Sequence, residues 1–134
     1  IPYFVTEIKS ETFANWTSLR SITISSNVTT IEADAFKGVT NVTFYVEHTS
    51  QPEGWEENWY DATNNLIVWG VTLSYDKTYV VSFTKTNDTP VGVINPTRVG
   101  FTFVGWYDET TEKLYQTLDE APVDTTLVTF WEIQ

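Results

Sequence analysis

A 23-residue unit occurs twice in the first fifty residues. Residues 5–27, "VTEIKSETFANWTSLRSITISSN", align with residues 28–50, "VTTIEADAFKGVTNVTFYVEHTS". Val5 falls on Val28, Ile8 on Ile31, Phe13 on Phe36 and Leu19 on Val42. Each unit opens with a Val-x-x-Ile step, passes through a short turn and ends in a β-rich run. A unit this short cannot bury an apolar face alone, so it must stack against a neighbour of the same kind. In the second unit Phe44 and Val46 lie one residue out of step with Ile22 and Ile24. Such a shift moves side chains to the other face of a strand. The expectation is therefore that the second unit is the last repeat and meets something unlike itself.

Composition agrees with a β-rich chain. Threonine is about one residue in six and aromatics are 16% of 134 residues, both favouring pleated surfaces. The formal net charge of -11 disfavours nucleic acid and anionic membranes, which require basic patches. No apolar run approaches the ~18 residues of a spanning helix, so no membrane insertion is expected of this segment. With no cysteine, thiol catalysis, disulfides and thiolate zinc sites are excluded. His48 is the only histidine, and Gly-x-Ser-x-Gly, HExxH and the glycine-rich phosphate loops are absent. No cofactor and no metal are expected; the acidic loops lack Asp-x-Asp-x-Asp-Gly spacing. His48, just past the last repeat strand, is expected on the surface. The chain opens mid-pattern on "IPYFVTEI", which reads as a piece of a longer protein. Four Asn-x-Thr sequons (Asn15, Asn27, Asn41, Asn87) arise easily in a chain this rich in Asn and Thr.

The stretch "SLRSITISSNVTTIEADAFKGV" resembles the BspA-type leucine-rich repeat, whose units run roughly L-x-x-I-x-I-P-x-S-V-x-x-I-G-x-x-A-F-x-x-C. Ser25 stands where that family often has Pro, and Val39 near its usual Cys. Arrays of this kind often finish in S-x-P-x-G-W-x-x-x-W and a Val-x-Trp-Gly. Here Ser50, Pro52, Gly54, Trp55 and Trp59 are followed by Val68, Trp69 and Gly70. The octet "EGWEENWY", Glu53 to Tyr60, admits two readings. Trp55 and Trp59, four apart, share a face if the turn is helical and can plug the open end of the array while Glu53, Glu56 and Glu57 face water. Alternatively Trp55, Trp59 and Tyr60 form a stacking platform for a sugar. A glycosidase pair is disfavoured, because three glutamates on one short turn are not opposed across a cleft.

From about Val71 the 23-residue grammar ends. Strand signals occur at 78–83, around 91–94, at 101–107 and at 127–133, separated by "NDTP" and "DETTEK" turns. "PTRVGFTFVGWYDETTEKLYQ" followed by "APVDTTLVTFWE" resembles the internalin B-repeat, or Listeria–Bacteroides repeat, whose fold is a small β-grasp-like sheet. Pro96, Gly100, Phe101, Phe103, Gly105, Trp106 and Tyr107 match its first half, and Val123, Thr126, Leu127 and Trp131 its second. The family's Asn-Gly-Gly hairpin is replaced by Asn87-Asp88-Thr89-Pro90, which leaves the first hairpin's register open.

The expected architecture is mostly β. Residues 1–70 would form the C-terminal end of a leucine-rich-repeat solenoid with a Trp-rich cap, and residues 71–134 a small β-grasp-like module. The expected framework of the first is Ile8, Phe13, Leu19, Ile31, Phe36, Val42, Trp55, Trp59 and Trp69. That of the second is Phe103, Gly105, Trp106, Leu127 and Trp131. Both resemblances imply secreted or wall-attached bacterial proteins with no catalytic residue. They imply an adhesion or host-interaction role towards a host or matrix protein or glycan, with the second module as a stalk. A carbohydrate-binding module and a purely structural spacer are the competing readings.

Overall fold

The computed structural model describes residues 1–134. It is mostly β, with no α-helix and one 3-10 turn at Leu118–Glu120. Three turns of chain stack in parallel. Strand β1 (Glu7–Ile8) pairs with β3 (Thr30–Ile31), and Ile31 bridges in turn to Trp55. Beside this ladder, β2 (Ser21–Ile24), β4 (Thr43–Val46) and β5 (Leu66–Trp69) form a parallel three-stranded sheet in that order. The irregular corners bond turn to turn as well. Phe13 N donates to Ala35 O at 2.9 Å, and Phe36 N to Trp59 O at 3.2 Å. Side chains at equal heights form columns inside the stack. Phe13 lies flat on Phe36, centroids 4.8 Å apart and planes 6° apart, and Trp59 meets Phe36 edge-on at 5.8 Å.

Two expectations are corrected here. Phe44 and Val46 do not change faces: Ile22 pairs with Phe44 and Ile24 with Val46, and all four lie in one core. The unit is one residue shorter, but the residue is lost from the corner before β4, so the strand's inward face is kept. The second unit is also the middle turn of the stack, not the last. Residues 50–70 make a third turn in the same register, with Thr43 against Leu66 and Val46 against Trp69. Trp55 and Trp59 sit on a non-helical turn, and their rings still meet at 5.3 Å. Gly54 permits this turn to close. Its N–C neighbours pass so near the middle turn that a Cβ would lie 2.1 Å from Thr29 O.

The second sheet is antiparallel: β6 (Thr72–Leu73), β7 (Val80–Thr84), β8 (Phe101–Asp108), β9 (Lys113–Tyr115) and β10 (Thr126–Ile133), ordered β6-β7-β10-β8-β9. A bulge at Val104 of β8, opposite the step from Phe130 to Trp131, bends β8. Gly105 lies where β9 crosses close, and a Cβ there would meet Tyr115 O at 2.7 Å. The strand expected around 91–94 is absent. That segment instead spends its polar backbone on the first sheet, with Ile94 N donating to Thr43 Oγ1 at 2.9 Å. The "DETTEK" turn joins β8 to β9, with Asp108 accepting from Thr110 N and the Thr111 hydroxyl.

The parallel sheet has a core on each face. Inward, Ile22, Ile24, Phe44 and Val46 join Ile8, Ile31, Phe36, Trp55 and Trp59. Outward, Tyr45 and Val68 join Val80, Phe83, Trp106, Leu118 and Leu127 of the second sheet. The alternation of strand side chains therefore assigns every second residue of β4 and β5 to a different core.

Candidate functional site

The aromatic turn of residues 53–60 divides sharply by exposure. Trp59 is fully buried and Trp55 nearly so, at 3%. Each indole N–H is satisfied: Trp55 Nε1 donates to Val28 O at 3.1 Å and Trp59 Nε1 to Gln51 Oε1 at 3.2 Å. Neither ring offers a face for a sugar to stack on. Tyr60 is half-buried, wedged against Trp59 at 4.3 Å and Phe44 at 5.5 Å, and this burial pushes its phenol pKa up. Trp69 is half-buried, tilted over Trp55 at 5.9 Å.

The glutamates are exposed, and Glu56 has a structural task. Its Oε2 accepts from Ala33 N at 2.6 Å, repeating the bond from Ser10 N to Glu32 Oε1 at 2.8 Å one turn earlier. No group of three or more His, Asp or Glu side chains is placed to hold a metal ion. His48 departs from expectation: it is half-buried, its Nε2 is 3.1 Å from Val28 O, and its ring meets Trp55 edge-on at 5.4 Å.

The remaining framework residues fall as follows. Ile8, Ile31, Phe36 and Val42 are buried, and Phe13 and Leu19 are partly buried against the same core. In the second sheet Trp106 and Leu127 are fully buried, and Phe103 packs between Trp106 and Trp131 at 5.5 and 5.0 Å.

Three residues that hold the molecule together were not singled out from the sequence. Asn65 is buried and fully paired: Oδ1 accepts from Val42 N at 3.0 Å, and Nδ2 donates to Val39 O and Asp61 O. Glu47 ties three segments. Its Oε1 accepts from Ser26 N at 2.9 Å, and its Oε2 accepts from Leu73 N at 3.3 Å and Lys77 Nζ at 3.1 Å. Burial alone would push its carboxyl pKa up, but the bonds from Ser26, Lys77 and Leu73 together hold it below the usual value. Tyr45 points its phenol away from the repeats, donating to Ile94 O, and burial pushes its pKa far up. Asn65 and Glu47 flank the strands β5 and β4 and Tyr45 lies within β4, and each finds partners because polar groups taken out of water need them.

The outward face of the parallel sheet is thus occupied. Ser21 Oγ meets Thr97 Oγ1 at 2.9 Å, and Thr23 Oγ1 donates to Lys77 O at 3.2 Å. What remains open are the two ends of the stack. At the β2 end Tyr3, Phe4 and Trp16 are more than half exposed. At the β5 end a groove of about 440 Å3 runs between residues 67–70 and the segment containing Thr84, Asp88 and Pro90. No helix is long and apolar enough to cross a membrane.

Comparison with known proteins adds one match. A family model described as "BspA type Leucine rich repeat region (6 copies)" matches residues 1–85. The matched region extends past Gly70 through β6 and β7, both of which pair in the second sheet. No curated protein and no solved structure matches the chain.

Proposed function

The chain belongs to the BspA-type leucine-rich repeat family, and on that footing we propose that it is a non-catalytic, protein-binding segment of a bacterial cell-surface or secreted protein, serving adhesion or host interaction. Members of this family are typically bacterial surface proteins engaged in adhesion or protein interaction. The observation that carries the reading is the match over residues 1–85 together with three parallel turns stacked in register. In this reading residues 1–70 are the closing turns of a solenoid, with Trp55, Trp59 and Trp69 filling its last turn. Residues 71–134 are a β-grasp-like module of the internalin B-repeat kind acting as a stalk. The burial of Tyr45 and Val68 supports a stalk fixed to the repeats, because the two modules share a core. A partner then binds at the ends or corners of the stack, since the outward strand face is covered.

The test is a binding screen of this protein against extracellular-matrix proteins and glycans, with Tyr60→Ala alongside. Saturable binding to a matrix protein that is insensitive to Tyr60→Ala is expected. A glycan as the ligand, lost in a folded Tyr60→Ala variant, would replace this reading with a carbohydrate-binding one. Absence of binding in both arms would leave a structural spacer.

A further inference from the structure

The open edge of β5 gives the protein-binding reading a specific surface. In a parallel ladder, alternate residues of a strand bond to opposite neighbours. Leu66 N donates to Val42 O at 3.1 Å and Gly70 N to Val46 O at 2.8 Å. Leu66, Val68 and Gly70 are therefore committed to β4. The N–H and C=O groups of Ile67 and Trp69 point to the other side, where no strand pairs with β5. An edge of this kind is a template for another chain unless it is covered or blunted. Here it carries no proline, no charged residue and no bulge.

This edge opens into the 440 Å3 groove described above. Its far wall is Phe83 and Thr84 of β7 and the turn reaching Pro90, which overhang from the second module. Ile67 and Trp69, both half-buried, supply apolar ground at alternate positions on one side. Phe83 supplies it on the other. Thr49, Thr84, Thr86 and Thr89 add hydroxyls, and Asp88 is the one charged side chain in the lining. The groove at the opposite edge, β2, is smaller, about 300 Å3, and no acidic side chain lines it.

We propose that β5 accepts an extended, basic peptide segment of a partner protein as a fourth strand, seated between Trp69 and the 84–90 turn. Four residues of strand span ~13 Å at about 3.3 Å each, matching the four-residue length of β5. Main-chain bonds to Ile67 and Trp69 supply the pairing, and alternate side chains supply the choice of sequence. The charge follows from Asp88 in the groove and the net charge of -11. The same charge on a second copy of this chain opposes self-pairing. This inference rests on the protein-binding reading but names a site that can fail independently of it.

The experiment pans a displayed library of random heptapeptides against the protein and against Thr49→Trp. Thr49 is exposed, and its side chain makes no hydrogen bond, so the indole fills the groove at little cost to the fold. Lysine- or arginine-containing peptides that bind the protein and lose at least tenfold on Thr49→Trp are expected. Asp88→Lys should weaken the same peptides by about threefold, as for an exposed ion pair. On the unaltered protein, bound peptide should slow hydrogen exchange at the Ile67 and Trp69 amides at least tenfold. Peptides indifferent to Thr49→Trp, unchanged exchange at those two amides, or no enrichment over the filled variant would each overturn the proposal. A matrix protein that still binds Thr49→Trp would remove this edge and leave the broader reading standing.

Discussion

The phenol of Tyr45 donates to the main-chain carbonyl of Ile94, joining the middle strand of the repeats to the loop before β8. The bond is partly buried: Tyr45 is fully buried, its ring 6.3 Å from Trp106, and Ile94 is half-buried. Removing the hydroxyl leaves the half-buried Ile94 carbonyl without this partner, at a cost of about 0.5–1.5 kcal/mol. Tyr45→Phe should lower stability by that amount in urea titration. Tyr45→Ala should lose about 3–5 kcal/mol, because a cavity is added. Both modules should unfold in one transition, seen equally by far-ultraviolet circular dichroism and tryptophan emission. Two separate transitions would contradict a shared core.

Trp59 fills the third turn, with Phe36, Phe44, Trp55 and Tyr60 all within 6 Å of its ring centroid. Trp59→Ala should cost about 3–5 kcal/mol and collapse the near-ultraviolet circular dichroism of the aromatic column. Full retention of both would show that the ring lies outside the core.

Gly54 is placed where backbone meets backbone. A methyl group there collides with Thr29 O, and neither turn can yield without breaking the bond from Ile31 N to Gly54 O at 3.2 Å. Gly54→Ala should destabilise by about 1–3 kcal/mol or more, the usual range for overpacking. Gly92→Ala is the comparison for positive φ without crowding, as nothing lies within 4 Å of its Cβ position.

Glu47 makes stability depend on pH with a defined sign. Its folded-state pKa is below the ordinary 4.5. Its contribution is therefore complete above about pH 4.5, the unfolded value, and is lost as pH falls through the lower folded value. Urea midpoints at pH 7, 5, 4 and 3 should show a shallower acid loss for Glu47→Gln than for the unaltered protein. Asp61, Asp76 and Asp108, also lowered by their hydrogen bonds, keep the variant's slope from vanishing. Equal slopes would mean that Glu47 is not held by Ser26, Leu73 and Lys77.

The repeat was legible because stacking demands the same residue type at the same height. Ile8 and Ile31, or Phe13 and Phe36, advertise that demand directly. The third turn was harder to read as a turn of the same stack. Trp55 replaces Ile, Trp59 stands at the height of Ala35 and Tyr60 at that of Phe36, so its pattern looks like a plug although its backbone bonds are those of the other turns. Counting fixed intervals also misplaced the faces of Phe44 and Val46, because a residue lost from a corner leaves no trace in strand alternation. The burial of Trp55 and Trp59 could not be decided from spacing, since an exposed aromatic pair and a buried one are written alike. Tyr45 and Val68 were invisible as a joint between modules: an outward strand residue carries no sign of what covers it. The segment at 91–94 looked like a strand, because apolar residues that dock through side-chain partners have the same composition as residues that pair in a ladder.

The last strand, β10, occupies the middle of its sheet, between β7 and β8. A load applied at Gln134 along the axis of β10 meets β8 first, because β8 pairs with residues 128–133 and β7 only with 126–128. Its ladder bonds are then strained together in shear, where an edge strand would peel away one bond at a time. The bulge at Val104 of β8, opposite Phe130 and Trp131, divides that ladder, and Trp131 is packed against Phe103 at 5.0 Å and Tyr79 at 6.1 Å immediately behind it. A pull from the C-terminus is therefore resisted first by residues 131–133 on β8. Only after these slip does tension reach Leu127 and the core that the second module shares with the repeats.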